Sequence, residues 1–482
     1  MSLQAAWQAL ERDDFRFAER TAQEALAATP GDPEALFLLG STRLFEGRYR
    51  EALAPLAEAA RTDGRRGTGY RLGHCYLALG ELARAEEALR REVGAHPDYA
   101  NAHNTLGVAL ASQERHDAAL ESFLAALRLE PSHAEASNNA ATAHYNLGMA
   151  LRALKRHEEA AASFARALAH APRMPYALGN LVHAELAACR WQDIGSHIEA
   201  LRAQVAQVPA APFTLCLVSS SPEEQRRCAE VYVRDALTGK PPPAMRAAPA
   251  PHAGKIRLAY LSADFHEHAT AVLTARLFEL HDRKDFEVIG ISYGPDDGSA
   301  LRKRLVQAFD RFADVQKQSD ADVIRLMREL QVDIAVDLKG HTRDARLGVF
   351  SQRPAPIQVN YLGYPGTMGA PFFDYLVADR TLIPAGEERA YSEAVVAVPG
   401  SYQVNDATRP IASETPSRAA MRLPEGAFVF CCFNNSFKIT PEVFEVWMRL
   451  LAGVPGSVLW LLEDNRDARR NLEQAAASQH VD

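Results

Sequence analysis

The chain has 482 residues, room for about two to four domains at ~150 residues each. It is 47% hydrophobic and 24% charged, and its formal net charge of −8 excludes a general nucleic-acid binder, which carries a basic excess. No apolar run is long enough to cross a bilayer, the first residues MSLQAAWQALERDDF do not form a signal peptide, and the cysteines make no CxxC pair. Neither a membrane segment, a zinc site nor a disulfide framework is expected, and a reducing cytoplasm is the expected compartment.

The N-terminal third repeats itself. Gly40, Gly73, Gly107 and Gly148 are followed twelve positions later by Ala52, Ala85, Ala119 and Ala160, with steps of 33, 34 and 41 between the glycines. Twenty-four positions after each anchor stands Gly64, Pro97, Pro131 or Pro172, and Ala6, Ala18 and Pro30 fit the same grid. Small residues at the anchor and twelve positions on let two antiparallel helices approach closely. A proline cannot continue a helix and so separates one pair from the next. This is the tetratricopeptide pattern, and it predicts a concave groove for an extended polypeptide. The long step contains EASNNAATAH and predicts a longer helix or an inserted turn. From Tyr176 to Ala236 the text stays helical but leaves the grid, as a cap or a joint would.

The proline-rich segment Gly239–Lys255 reads as a boundary. Strands are then predicted at Ile256–Ser262, Phe286–Tyr293, Val332–Leu338, Ile357–Tyr361 and Tyr375–Ala378, with helices at Ala271–His281, Ser299–Phe309 and Ser319–Leu330. This alternation predicts a doubly wound parallel sheet. A second unit of the same type starts with Phe428–Phe433, a helix over Pro441–Leu451 and a strand over Ser457–Glu463.

In open sheets of this class, ligands bind beyond the carboxyl ends of the strands. There the sequence places Asp264, His266 and His268 just before a helix that Thr270 can cap. A histidine at a helix N-terminus tends to stay neutral, so His266 or His268 is a candidate base. The loop after Leu338 carries Gly340, Gly363, Gly366 and Gly369, which permit close backbone approach. Leu362, Tyr364 and Pro365 are expected to form an apolar wall with polar edges, and Arg343 and Arg346 to meet an anion. In the second unit Thr440 and Pro441 suit a helix N-terminus, where Lys438 adds a full positive charge for a phosphate. No P-loop, GxGxxG or acidic metal cluster is present.

With the repeats, the stretches YLSADFHEHAT, LKGHTRDAR, RPAPIQVNYLGYPGTMGAPFFDY, YSEAVVAVP and CCFNNSFKITPEVFEVWMRLLAGVPGSVLWLL resemble the O-linked N-acetylglucosamine (O-GlcNAc) transferases and their SPINDLY-like relatives. The likeness is to the bacterial homologues of the nucleocytoplasmic enzyme. It implies a tetratricopeptide-repeat superhelix followed by a GT-B glycosyltransferase with two Rossmann-like lobes, the second incomplete in this chain. The implied division is repeats over 1–178, a helical extension and linker over 179–254, an N-terminal catalytic lobe over 255–405 and the start of a nucleotide-binding lobe over 406–482.

The implied reaction is inverting transfer of N-acetylglucosamine from UDP-GlcNAc to Ser/Thr hydroxyls of proteins, without metal or cofactor. The alternatives are another donor, GDP-fucose or UDP-glucose, or a repeat scaffold with an inactive transferase domain. The implied partners are a UDP-sugar and a protein or peptide held in the repeat groove. By the same resemblance His268 is the active-site histidine long proposed as base, and Asp264 the aspartate proposed in proton relay. The donor phosphate is itself the other candidate base. Lys438 is the lysine holding the UDP diphosphate, Asn435 contacts the nucleotide side, and Thr270, Leu362, Gly363 and Pro365 surround the sugar. Three departures stand out. The sequence ends at ASQHVD, before the family's later nucleotide-binding segment, so poor UDP-sugar binding is expected of it. The asparagine ladder of the animal repeats does not recur in phase. The lead-in CAEVYVRDALTG lacks a histidine found there in the animal enzymes.

Overall fold

The computed structural model describes residues 2–62, 65–129, 134–244 and 254–481. Gly64 and Pro131 of the repeat grid, and 245–253 of the proline-rich boundary, lie outside the described residues. Two compact units are present: Met1–Ile194 with Cys431–Pro455 and Leu459–Asp482, and Gly195–Phe430 with Gly456–Val458.

The first unit begins with five antiparallel helix pairs: α1 (Leu3–Leu10) with α2 (Phe15–Ala28), α3 (Pro33–Phe45) with α4 (Tyr49–Thr62), α5 (Thr68–Ala78) with α6 (Leu82–Ala95), α7 (Ala100–Ala111) with α8 (His116–Arg128), and α9 (Ala134–Ala153) with α10 (His157–His170). The anchor glycines explain the pairing. A Cβ on Gly40 would lie 2.5 Å from Leu56, on Gly73 2.5 Å from Leu89, on Gly107 2.5 Å from Phe123 and on Gly148 2.7 Å from Phe164. Each large side chain sits sixteen positions after its glycine and is buried, as are the alanines at +12. The second helix of each pair thus drives one bulky residue into a notch that only glycine leaves open. Pro30, Pro97 and Pro172 lie in the turns between pairs, and the 41-residue step is a longer helix, the 20-residue α9. The array continues past the grid with α11 (Ala177–Ala187), stacked on α10; α12 (Ile194–Gln204) follows, all but its first residue in the second unit.

The second unit holds α13 (Pro212–Val218), α14 (Pro222–Ala236) and a sheet of seven parallel strands: β1 (Ile256–Ser262), β2 (Phe286–Ser292), β3 (Arg311–Asp314), β4 (Ile334–Asp337), β5 (Ile357–Tyr361), β6 (Tyr375–Ala378) and β7 (Ala394–Ala397). Their order is β3-β2-β1-β4-β5-β6-β7. Helices α15 (Ala269–Leu280), α16 (Ala300–Ala308), α17 (Asp320–Glu329) and α18 (Leu347–Ser351) link them. Apolar clusters cover both faces. Val323, Met327 and Phe350 belong to one, Ala275, Phe278 and Leu305 to the other, which is why the central strands read as near-continuous apolar runs.

The chain then forms β8 (Val429–Cys432), α19 (Pro441–Gly453), β9 (Val458–Leu461) and α20 (Arg466–Ser478), with β8 beside β9. Thr440 caps α19 by accepting from the Val443 amide, and Pro441 takes the first helical position, as the sequence predicts. In the first unit, Ile439, Phe444, Met448 and Ala468 form a core with Cys189, and Trp191 packs against it.

Candidate active site

The chain leaves β1, builds β2 and β3 on one side, and returns to β4 on the other. The strand order therefore reverses between β1 and β4, the place where open parallel sheets bind ligands. Asp264 follows β1 and Lys339 follows β4. The Lys339 ammonium lies 2.8 and 2.9 Å from the two Asp264 carboxylate oxygens, and both side chains are buried.

Asp264 Oδ2 also accepts from Thr270 Oγ1 at 3.4 Å and lies 3.5 Å from His268 Nδ1. The helix α15 starts differently from the sequence expectation. Its N-cap is His268, whose Nδ1 accepts the Thr270 amide at 3.2 Å, while Thr270 sits within the first turn. Nδ1 offers its lone pair to that amide, so the neutral ring carries its proton on Nε2. Burial lowers the His268 pKa; Asp264 pulls it up, and Lys339 and His266 pull it down. The His266 ring stands 5.7 Å from that of His268. Asp297, in the loop after β2, accepts the Glu267 amide at 2.8 Å and steadies the segment.

The Gly/Pro loop lies beside Lys339. A Cβ on Gly363 would fall 2.0 Å from the Leu338 carbonyl oxygen and 3.2 Å from Lys339 Cα, so only glycine permits this approach. The Gly363 amide bonds back to Tyr361 O at 2.9 Å across Leu362, whose φ is +69°. This is a γ-turn centred on a non-glycine residue, a strained conformation of the kind that persists where surrounding packing enforces it. Leu362, Gly363 and Pro365 are half-buried along this turn.

Other expectations for the loop are corrected. Tyr364 is not part of an exposed wall. Its ring is fully buried against His341, and its hydroxyl meets Cys216 Sγ at 3.3 Å. Arg346 does not await an anion: it is paired with Asp320, Nε to Oδ1 at 2.8 Å, and donates to the Gln318 carbonyl. Arg343 is exposed. Gly366 packs over the Tyr364 ring and Gly369 against the α14 backbone at Glu230, so both serve packing.

Sequence reasoning missed Lys339, Asp337 and His341. Burial pushes the Asp337 carboxyl up to about 6, against the pull of the Lys339 and Gly340 amides it accepts. Burial brings His341 down to about 4; its Nε2 donates to Met368 O at 2.7 Å. The available signal was DLKGH at the end of an apolar strand, where charge does not belong on packing grounds alone.

Lys438 and Asn435 belong to the first unit. Asn435 is the N-cap of a short 3-10 turn, Ser436–Lys438, and Lys438 is exposed just ahead of α19. The Ser436 hydroxyl donates to Ala187 O at 2.7 Å, and the Phe437 ring lies 5.4 Å from that of His183.

The family model described as Glycosyl transferase family 41 matches residues 227–413 and 409–482, more than half of the chain. The chain belongs to glycosyl transferase family 41. Tetratricopeptide repeat models match residues 3–66, 70–134 and 141–174. Among the relatives, a probable UDP-N-acetylglucosamine–peptide N-acetylglucosaminyltransferase SEC of Arabidopsis thaliana is 34% identical over 232 residues, covering 47% of this chain and 24% of the relative. The Petunia hybrida protein of the same description named SPINDLY is 31% identical over 205 residues, covering 42% and 22%. This chain thus spans about a quarter of the length of these relatives. A solved Thermobaculum terrenum O-GlcNAc transferase mutant superposes with a TM-score of 0.57 at 27% identity, over 86% of this chain and 73% of that one. Repeats followed by a GT-B-like parallel-sheet domain are therefore the architecture of this family 41 member. Among the described residues no helix is long and apolar enough to cross a membrane.

Proposed function

We propose that this family 41 protein transfers N-acetylglucosamine from UDP-GlcNAc to serine and threonine hydroxyls of proteins, with inversion and without a metal, in the cytoplasm. The names of its relatives support the donor and the peptide acceptor. The observation that carries the reading is the buried Asp264 beside the exposed His268 at the switch point of the sheet. The acceptor hydroxyl must lose its proton as its oxygen bonds the anomeric carbon, and the bond from that carbon to the diphosphate must break. The departing charge then needs stabilisation. Lys438, exposed before a capped helix N-terminus, supplies it for the diphosphate, and Asn435 contacts the nucleotide side. His268 Nδ1 is already engaged by Thr270, so the ring donates through Nε2 and the proton passes to a phosphate oxygen of the donor. Thr270, Leu362, Gly363 and Pro365 surround the sugar, and the repeat groove takes an extended segment of the acceptor protein.

The test is transfer by the full-length protein to a Ser/Thr peptide, read by mass spectrometry, with UDP-GlcNAc, UDP-glucose and GDP-fucose offered in turn. Transfer from UDP-GlcNAc that disappears in Lys438→Ala is expected. Transfer from GDP-fucose alone, or no transfer together with no calorimetric UDP binding, overturns the reading.

A further inference from the structure

The Asp264–Lys339 pair has a consequence for His268. A carboxylate 3.5 Å from Nδ1 favours a proton on that nitrogen. A proton there would turn Nδ1 from acceptor to donor and cost α15 its cap from Thr270. The Lys339 ammonium, in contact with both oxygens of the same carboxylate, opposes this. We propose that Lys339 is a positioning residue: by occupying the Asp264 carboxylate across the β1/β4 crevice, it keeps His268 neutral with its proton on Nε2, so that the ring presents a hydrogen-bond donor to the reacting groups.

The other groups facing His268 fit this role. His266 stands beside it and lowers its proton affinity, and Asp297 is bound to the Glu267 amide. Thr270 Oγ1 spends its proton on Asp264. Asp337 holds the Lys339 and Gly340 amides and so fixes the backbone from which the ammonium reaches. Lys339 touches neither sugar nor nucleotide in this scheme; it acts through Asp264 and His268.

The inference rests on the transferase reading for its purpose, and its test needs no donor. Nitrogen-15 NMR of histidine-labelled protein gives both the pKa of His268 and the nitrogen that carries its proton. Lys339→Met raises the proton affinity of His268 about tenfold or more, the effect of an uncompensated charge within ~4–6 Å. It also moves ring signals away from the Nε2–H pattern near neutral pH. Lys339→Gln, which can still donate to Asp264, shifts them the same way. The double variant Lys339→Met/Asp264→Asn leaves no buried charge behind and returns His268 close to its wild-type titration. A folded Lys339→Met or Lys339→Gln protein with His268 unchanged overturns the proposal, as does a double variant far from wild type. These shifts in a protein whose wild type shows no glycosyl transfer would instead sink the transferase reading alone.

Discussion

Asn465 is where the segment after Cys431 can be tested most directly. It is buried and makes contacts on both sides of its amide. Nδ2 donates to Ala187 O at 2.9 Å and lies 3.2 Å from Ser436 Oγ, while Oδ1 caps α20 by accepting the Ala468 amide at 2.8 Å. Asn465→Ala removes the cap, worth ~1 kcal/mol. It also removes one net buried hydrogen bond, worth ~1 kcal/mol. A local loss of ~2 kcal/mol is about 30-fold in the opening equilibrium of α20, since ~1.4 kcal/mol is tenfold. Asn465→Asp keeps the cap but turns a carboxylate oxygen toward the Ala187 carbonyl, so a loss at least as large as that of Asn465→Ala is expected. Hydrogen exchange read by mass spectrometry over 466–478 is the assay, with β1 and β2 as the internal control. Unchanged exchange in α20 for Asn465→Ala would refute the reasoning, and so would an equal loss of protection throughout the repeats, because both would show that these bonds do not hold the segment to α11.

Gly107→Ala forces a methyl to within 2.5 Å of the Phe123 ring and should cost ~1–3 kcal/mol in denaturant unfolding, whereas Gly94→Ala in α6, with nothing within 4 Å, should gain ~0.5–1 kcal/mol. Buried His341 titrates at about 4 against 6.5 unfolded, so it removes stability as pH falls through that window; Asp337, at about 6 against 3.8 unfolded, does the opposite. Asp337→Asn deletes the opposing slope, so from pH 6 to 4 its stability should fall ~1.4 kcal/mol per pH unit more steeply than wild type, measured by urea midpoints. Lys438→Ala, at an exposed position, should change stability by less than ~0.5 kcal/mol while abolishing UDP binding by the full-length protein; wild-type UDP affinity in this variant would remove Lys438 from the diphosphate site.

The repeats were legible because the grid records helix contacts: a glycine, its alanine and its proline each answer to a notch or a turn. Strands β1, β5 and β6 match the expected residues, since apolar runs flanked by turn residues have little freedom of interpretation. Strands β3 and β7, four residues each, were not foreseen. Both lie at the sheet's margins and are partly exposed, so their residues carry no continuous apolar signal. The site was legible in part. Asp264, His268 and Thr270 do converge, but the roles of cap and capped residue were exchanged, because an imidazole nitrogen can accept an amide as a threonine oxygen can. Lys339 escaped notice because a lysine after a strand reads as solvated; only the fold reveals that β4 lies beside β1 and that the lysine turns inward. Arg346 and Tyr364 misled for the same reason, since what a long polar side chain or a tyrosine faces is decided by pairing between distant segments.

The asparagines show the same limit from the other side. Asn104 and Asn146 stand at different offsets from their anchor glycines, so no ladder is visible in phase, yet Asn146 Nδ2 donates to Asn104 Oδ1 at 3.1 Å. Asn180 Nδ2 in turn bonds the Tyr145 hydroxyl at 3.1 Å. Beyond them, α11 ends in the carbonyls that receive Ser436, Asn465 and Asn471 from the later segment, at Ala187 and Ala188. The residues flanking Lys438 all grip this end of the array: Ser436 through Ala187, Phe437 through His183, Ile439 through the core around Cys189. A lysine whose backbone is fixed on both sides loses less freedom on meeting an anion than one on a loose turn, so its charge is used more fully. Helix α11 therefore does more than extend the array. It is the support on which the proposed diphosphate lysine stands, and a substitution that loosens α11 should weaken binding of UDP while leaving that of uncharged uridine unaltered.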